Sequence, residues 1–184
     1  MSKKLVDKKK KPAKLGTTKE TTMTDPTAFP CLYVLVNTDL ASMNPGKAQA
    51  HSGHAANAFV EKAVIAPLLA GKTPDALVMT WRTATPQGFG TQINLKAPTR
   101  DLSPLVDVAV KLGFAAELVF DPTYPYEVTR EMFDLIPQET HTLAPVFKGD
   151  TVICFRRQMT AAYVFGDKNN LLLNMITSRY PLHP

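Results

Sequence analysis

Leu32-Tyr33-Val34-Leu35-Val36 is an unbroken apolar run rich in β-formers, and Asn44-Pro45-Gly46-Lys47 and an alanine-rich stretch follow it closely. A short run without polar alternation reads as a strand buried on both faces. From Lys47 onward Ala48, Ala55, Phe59 and Ile65 keep a rough helical period, and Gly71 supplies a stop. A strand buried on both faces needs neighbours along its edges and cover above and below, so strand, loop and helix in succession call for an α/β domain. The loop between such a strand and its helix exposes unpaired backbone N–H groups along a dipole that favours anions, and Lys47 adds a full charge there.

Further along, Ala76–Trp81 and Gly90–Leu95 read as strands, with Pro86-Gln87-Gly88 between them as the turn of a hairpin. Asp101 is placed to cap a helix whose Leu102, Leu105, Val106, Ala109 and Leu112 share one face, ended by Gly113. Ala116–Phe120 then reads as a strand finishing at Asp121. Residues 122–147, proline-bearing and acidic, read as a long excursion with a short helix near Glu131–Ile136. Thr151–Phe155 and Ala161–Phe165 read as two strands, and Asp167 as the cap of a last helix carrying Leu171, Leu172, Met175 and Ile176. The expectation is one α/β domain over 29–184 in three layers, with a mixed, mostly parallel central sheet of about four to five strands flanked by helices and an insertion at about 122–147.

The chain carries a formal net charge of +5. Residues 1–30 hold eight lysines against Asp7, Glu20 and Asp25, which accounts for the whole excess; the rest has 13 basic and 13 acidic residues. With no periodic apolar pattern to offset ordering, residues 1–28 are expected to be a disordered basic tail. Affinity for an anionic partner must come from that tail or from a local patch. Cys31 and Cys154 lie in apolar runs with no paired-cysteine spacing, which points to a reduced, cytoplasmic setting. No apolar stretch is long enough to span a bilayer, so no membrane partner is expected.

A nucleotide-binding P-loop requires G-x-x-x-x-G-K-[ST]; Ala41 stands at the first glycine and Ala48 at the hydroxyl position, which excludes it. The segment Thr38-Asp39-Leu40-Ala41-Ser42-Met43-Asn44-Pro45-Gly46-Lys47-Ala48-Gln49-Ala50-His51-Ser52-Gly53-His54-Ala55-Ala56 instead resembles the opening signature of type 2 peptidyl-tRNA hydrolases, roughly D-L-x-M-x-x-G-K-x-A-A-Q-x-x-H-A. Asp39, Leu40, Met43, Gly46, Lys47, Ala50, His54 and Ala55 match, with one extra residue between Leu40 and Met43. The resemblance implies the family's α/β fold and hydrolysis of the ester joining a peptide or N-blocked amino acid to tRNA, without cofactor or metal. It also implies tRNA or another anionic ligand as partner, and a homodimer. Carried over by position, its catalytic lysine, aspartate and threonine fall on Lys47, Asp121 and Thr151. Asp39, Gly46, His51, His54 and Thr123 are the accompanying substrate-binding candidates.

Four departures bear on that activity, one of them a C-terminal region after Phe155 that is unlike the family's ending. Asn37 stands where an arginine is typical, His51 replaces a glutamine, and the family's D-A-G-x-T-Q-I segment gives way to Asp121-Pro122-Thr123-Tyr124-Pro125 and the excursion. A rebuilt loop of this kind equally suits a non-catalytic module that recognises a protein, nucleic acid or nucleotide, with Tyr124, Tyr126, Phe133 and Phe147 as anchors. A hydrolase of another ester or amide is a third reading. His51 and His54, three apart, can present two ligands on one helix face, but zinc needs more, and neither His141 nor His183 is placed to join them; no metal is expected.

Overall fold

The computed structural model describes residues 27–183, so the expected basic tail, apart from Thr27 and Ala28, lies outside the described residues. Pro30–Asn37 forms β1, with every residue from Cys31 to Asn37 buried. Its alternation divides the domain into two cores. Leu32, Val34 and Val36 pack with Phe59, Trp81, Tyr163 and Phe165 on one face, while Cys31, Tyr33 and Leu35 pack with Leu102, Leu105, Ala109 and Leu173 on the other. Helices thus cover both faces of a mixed, open, five-stranded sheet.

The first helix, α1, spans Pro45–Val60 and continues through a π-turn at Glu61–Ile65 into α2, Ala66–Leu69. Asn44 caps it, its Oδ1 accepting from the Lys47 backbone N–H at 2.9 Å, and Pro45 occupies the first turn, where its missing N–H has no cost. The π-turn advances the register, so Val64 is buried and the expected core position, Ile65, is half-exposed. Gly71, at φ +67°, closes the segment as its position suggested.

Ala76–Trp81 is a helix, α3 (Ala76–Thr83), where a strand was expected. Asp75 decides it, since its Oδ1 accepts from the Leu77 and Val78 N–H groups at 2.8 and 3.3 Å. Val78 and Trp81 then share the buried face, and the Trp81 Nε1–H donates to the Thr91 carbonyl at 2.8 Å. The expected hairpin is therefore a helix-to-strand turn leading into β2, Thr91–Ala97, which lies parallel to β1. Gly90 is required there: a Cβ would stand 2.4 Å from Trp81 Cδ1.

Thr99–Lys111 forms α4; Pro98 occupies the cap position, and Asp101, the expected cap, lies in the first turn, favourably placed for the dipole. Leu102, Leu105 and Ala109 are buried as expected, whereas Leu112 is 40% exposed beyond the helix end. Ala115–Thr129 forms β3, running through what was read as the start of a loop, and Thr151–Asp167 is one long strand, β5, in place of two. Together they make an antiparallel ribbon that extends past the sheet, with register shifts at Val119/Phe120 and Asp121/Tyr124. Pro122 falls in the second shift and Pro125 on an edge strand, the settings in which proline is tolerated in a sheet. The ribbon's far end carries α5, Arg130–Phe133, shorter than the helix expected there, and β4, Val146–Lys148, which pairs with β5.

The strand order is β2-β1-β5-β3, with β4 beside the start of β5. Only β1 and β2 pair parallel; β1–β5, β3–β5 and β4–β5 are antiparallel, which corrects the expectation of a mostly parallel sheet. Apolar patterning marks a strand but not its direction, and β5 returns between β1 and β3 because the excursion folds as the end of a hairpin. The last helix, α6 (Leu171–Thr177), is capped by Asn170, while Asp167 accepts from the N–H groups of Phe29 and Asn169. Its buried residues are Leu173 and Thr177, with Leu171 and Met175 outside, a face rotated from the expected one.

Candidate functional site

The β1–α1 loop is fixed from beneath by Asn37, which is fully buried. Its Nδ2 donates to the Met159 carbonyl at 2.9 Å, and its Oδ1 accepts from Thr99 Oγ1 at 2.9 Å and from the Asp39 N–H at 3.0 Å. Asp39, a substrate-binding candidate, is spent on structure: its Oδ2 accepts from the Thr99 N–H at 2.7 Å and so caps α4 from across the domain. Gly46 does not adopt a left-handed conformation, and a Cβ there would approach only Asn44 Oδ1, at 3.4 Å. Its absent side chain leaves the first turn of α1 open rather than permitting a strained turn.

Above this loop Lys47, His51, His54, Asp121 and Tyr124 come together. The Lys47 Nζ lies 5.0 Å from the centre of the Tyr124 ring. Tyr124 is buried, its hydroxyl 2.7 Å from Ser42 Oγ, and its ring is 5.6 Å from that of His51. His51 points inward from α1 and is 4% exposed, whereas His54, 5.5 Å away ring to ring, is exposed. Asp121 reaches the pair from β3: one ligand atom each from His51, His54 and Asp121 lie within 4.8 Å of one another. A third metal-type ligand thus stands beside two histidines that the sequence left as a pair.

Asp121 Oδ1 accepts from the Thr123 N–H at 2.8 Å and from Thr123 Oγ1 at 3.2 Å. Thr123, a substrate-binding candidate, therefore orients the carboxylate. Burial lowers the His51 pKa, with smaller contributions in the same direction from His54 and Lys47 and an opposing one from Asp121. A neutral imidazole at neutral pH is a competent base, hydrogen-bond acceptor or metal ligand. The buried His51 Nδ1 has no hydrogen-bond partner. A cavity of about 610 Å³ opens alongside, lined by Ser42, Lys47, Tyr124, Tyr126 and Arg156 among others.

Thr151 is not part of this cluster. It pairs with Thr129 and Lys148 at the far end of the ribbon. Asp121 pairs with Gln158, seven residues along β5, which is roughly 23 Å at a strand's rise per residue. Of the three catalytic candidates, Lys47 and Asp121 share a site and Thr151 stands apart. Sequence reasoning missed Ser42 and Arg156, and took Tyr124 as an aromatic anchor of a rebuilt loop rather than as part of this cluster. The alternation of Tyr124, Tyr126 and Val128 was a strand signal, but Pro122 and Pro125 within it read as loop. It also missed Thr160, fully buried with an unpartnered Oγ1, in β5 at the Val119/Phe120 register shift.

No protein-family model matches the chain, and no curated protein matches it. Among the described residues no helix is long and apolar enough to cross a membrane.

Proposed function

We propose that the chain is a cytoplasmic esterase that releases a peptide or N-blocked amino acid from tRNA at the cleft between the first turns of α1 and β3. The observation that carries this reading is the convergence of Lys47 and Asp121 on a buried His51 whose pKa is depressed. Ester hydrolysis needs a water held and deprotonated by a base, and positive charge near the developing oxyanion or a neighbouring phosphate. Asp121, oriented by Thr123, and neutral His51 hold the water; Lys47, resting on the Tyr124 ring, supplies the charge. The resemblance of residues 38–56 to type 2 peptidyl-tRNA hydrolases supports the same assignment, and Thr151 has no part in it.

The ribbon leading from the cleft supports a nucleic-acid substrate despite the neutral body. Arg156 lies over Tyr126 at 4.8 Å from the ring centre, and Arg157 over Phe120 at 3.7 Å. Guanidinium planes and aromatic rings both stack on unpaired bases, and the cations neutralise phosphates, which suits the single-stranded end of a tRNA.

The second reading, a non-catalytic binding module, draws on the rebuilt excursion. The end of the ribbon has its own small core of Phe133, Val152 and Cys154, and Phe147 and Val146 remain about half-exposed on the edge strand β4. Release of labelled amino acid from N-acetyl-aminoacyl-tRNA separates the two. Turnover that falls in Lys47→Ala and Asp121→Asn supports the esterase; binding of the tRNA with no turnover by the wild type supports the module.

A further inference from the structure

We propose that His51, His54 and Asp121 form a three-ligand site for a divalent transition-metal ion of the zinc class, with a further coordination position left to water. The inference does not rest on the esterase reading, and it assigns two residues differently: coordinated to an ion, His51 and Asp121 would not be free to act as the water-activating base proposed there.

The donor set comes from two elements that face each other. His51 and His54 lie three residues apart on α1, so their side chains project from the same side of the helix with rings 5.5 Å apart, and Asp121 enters from β3 at the point where Pro122 breaks the ladder. Around a tetrahedral zinc, metal–ligand bonds of about 2.0–2.1 Å put neighbouring ligand atoms roughly 3.3–3.5 Å apart. The three candidate atoms lie within 4.8 Å of one another, at most about 1.5 Å beyond that spacing. Among the described residues this is the one group of histidine, cysteine or carboxylate ligands that meets so closely.

Two further observations point to a ligand. The His51 Nδ1 is buried and unpartnered, in a residue 4% exposed, which is an unusual state for a polar atom unless something accepts or donates there. In addition, both Thr123 hydrogen bonds fall on Asp121 Oδ1 and fix the carboxylate's orientation, the support that liganding carboxylates ordinarily have. Two imidazoles and one carboxylate suit zinc, cobalt or iron(II) and are a poor match for calcium or magnesium, which prefer all-oxygen shells. Three protein ligands leave a coordination position open, the arrangement of catalytic rather than structural zinc sites. Lys47 opposes the ion by its charge, and its placement over the Tyr124 ring holds the ammonium to one side.

The test uses the full chain after removal of metal by chelation. Zinc(II) is titrated by calorimetry, and cobalt(II) is followed by the visible absorption of a four- or five-coordinate ion. One equivalent per chain is expected, with a zinc-dependent rise in melting temperature. His54→Gln, at an exposed position, is expected to weaken binding about tenfold or more, the scale on which metal sites respond even to lost supporting contacts. Asp121→Asn is expected to do the same, while His141→Gln and His183→Gln bind as the wild type does. Circular dichroism of each variant checks that it folds; should Asp121→Asn fail to fold, His54→Gln decides alone. Absence of a one-to-one zinc isotherm, or undiminished binding by His54→Gln, overturns the proposal.

Discussion

Replacing Asn37 with alanine removes a side chain that joins β1, β5, α4 and the loop carrying Lys47. The amide is fully buried and makes three hydrogen bonds, to the Met159 carbonyl, from Thr99 Oγ1 and from the Asp39 N–H. At about 0.5–1.5 kcal/mol for each net hydrogen bond, their loss destabilises the fold by about 3 kcal/mol, with stranded partners and a small cavity raising that figure. For a domain of this size, ~3 kcal/mol corresponds to a fall in melting temperature of roughly 6–12 °C. Urea denaturation of wild type and variant, followed by Trp81 fluorescence, gives the difference directly. A loss below about 1 kcal/mol would refute the account, because a buried amide with three partners cannot be removed so cheaply. The variant should also loosen the 38–47 loop, read as faster amide exchange at Asp39 and Lys47.

Gly90→Ala places a Cβ against the Trp81 ring and carbonyl, and overpacking of this kind is expected to cost about 1–3 kcal/mol in the same denaturation assay. Stability should also depend on pH through His51. Its folded pKa is depressed, so the unfolded chain takes up the proton first. The contribution is fully present above the unfolded pKa of about 6.5 and declines as pH falls from there through the folded value. Urea midpoints measured from pH 7 downward should show that decline in the wild type and a flatter profile in His51→Asn. On the ribbon, Arg156→Ala and Arg157→Ala should each weaken tRNA binding and lower the slope of log affinity against log salt by about 0.7, the value for one phosphate contact on a single strand. Unchanged slopes would remove the ribbon from the binding surface.

The parts of the fold legible in the sequence were those written in local chemistry. The buried run of β1, the start of α1 near Lys47 and the Gly71 and Gly113 stops all lie within a few residues of the signals that specify them. Where a cap went unread, as at Asp75, or the signal was non-local, the reading went astray. Ala76–Trp81 has a strand-like composition, yet the Asp75 cap and the packing of Trp81 against Phe59 and Phe165 make it a helix. Arg156, Arg157 and Gln158 split β5 into two apparent strands, because their polarity suits a two-stranded ribbon outside the core. At the site, Lys47 was singled out on the Gly46-Lys47 turn and Asp121 on its place at the end of an apolar run, and both lie beside His51. Thr151 was misplaced because a threonine opening a strand looks the same wherever the strand begins. The meeting of Asp121 with His51 and His54 depends on the register of β3 against β5, and no local pattern encodes it.

The central claim is that Lys47 and Asp121 act together on an ester. Steady-state release of labelled N-acetyl-amino acid from N-acetyl-aminoacyl-tRNA tests it most directly. The wild type should turn over, while Asp121→Asn and Lys47→Ala should each lower kcat by about a hundredfold, the scale of losing a general base or an oxyanion-stabilising charge. Thr151→Ala, at the far end of the ribbon, should leave kcat unchanged. No turnover by the wild type, or equal turnover by the Lys47 and Asp121 variants, would contradict it.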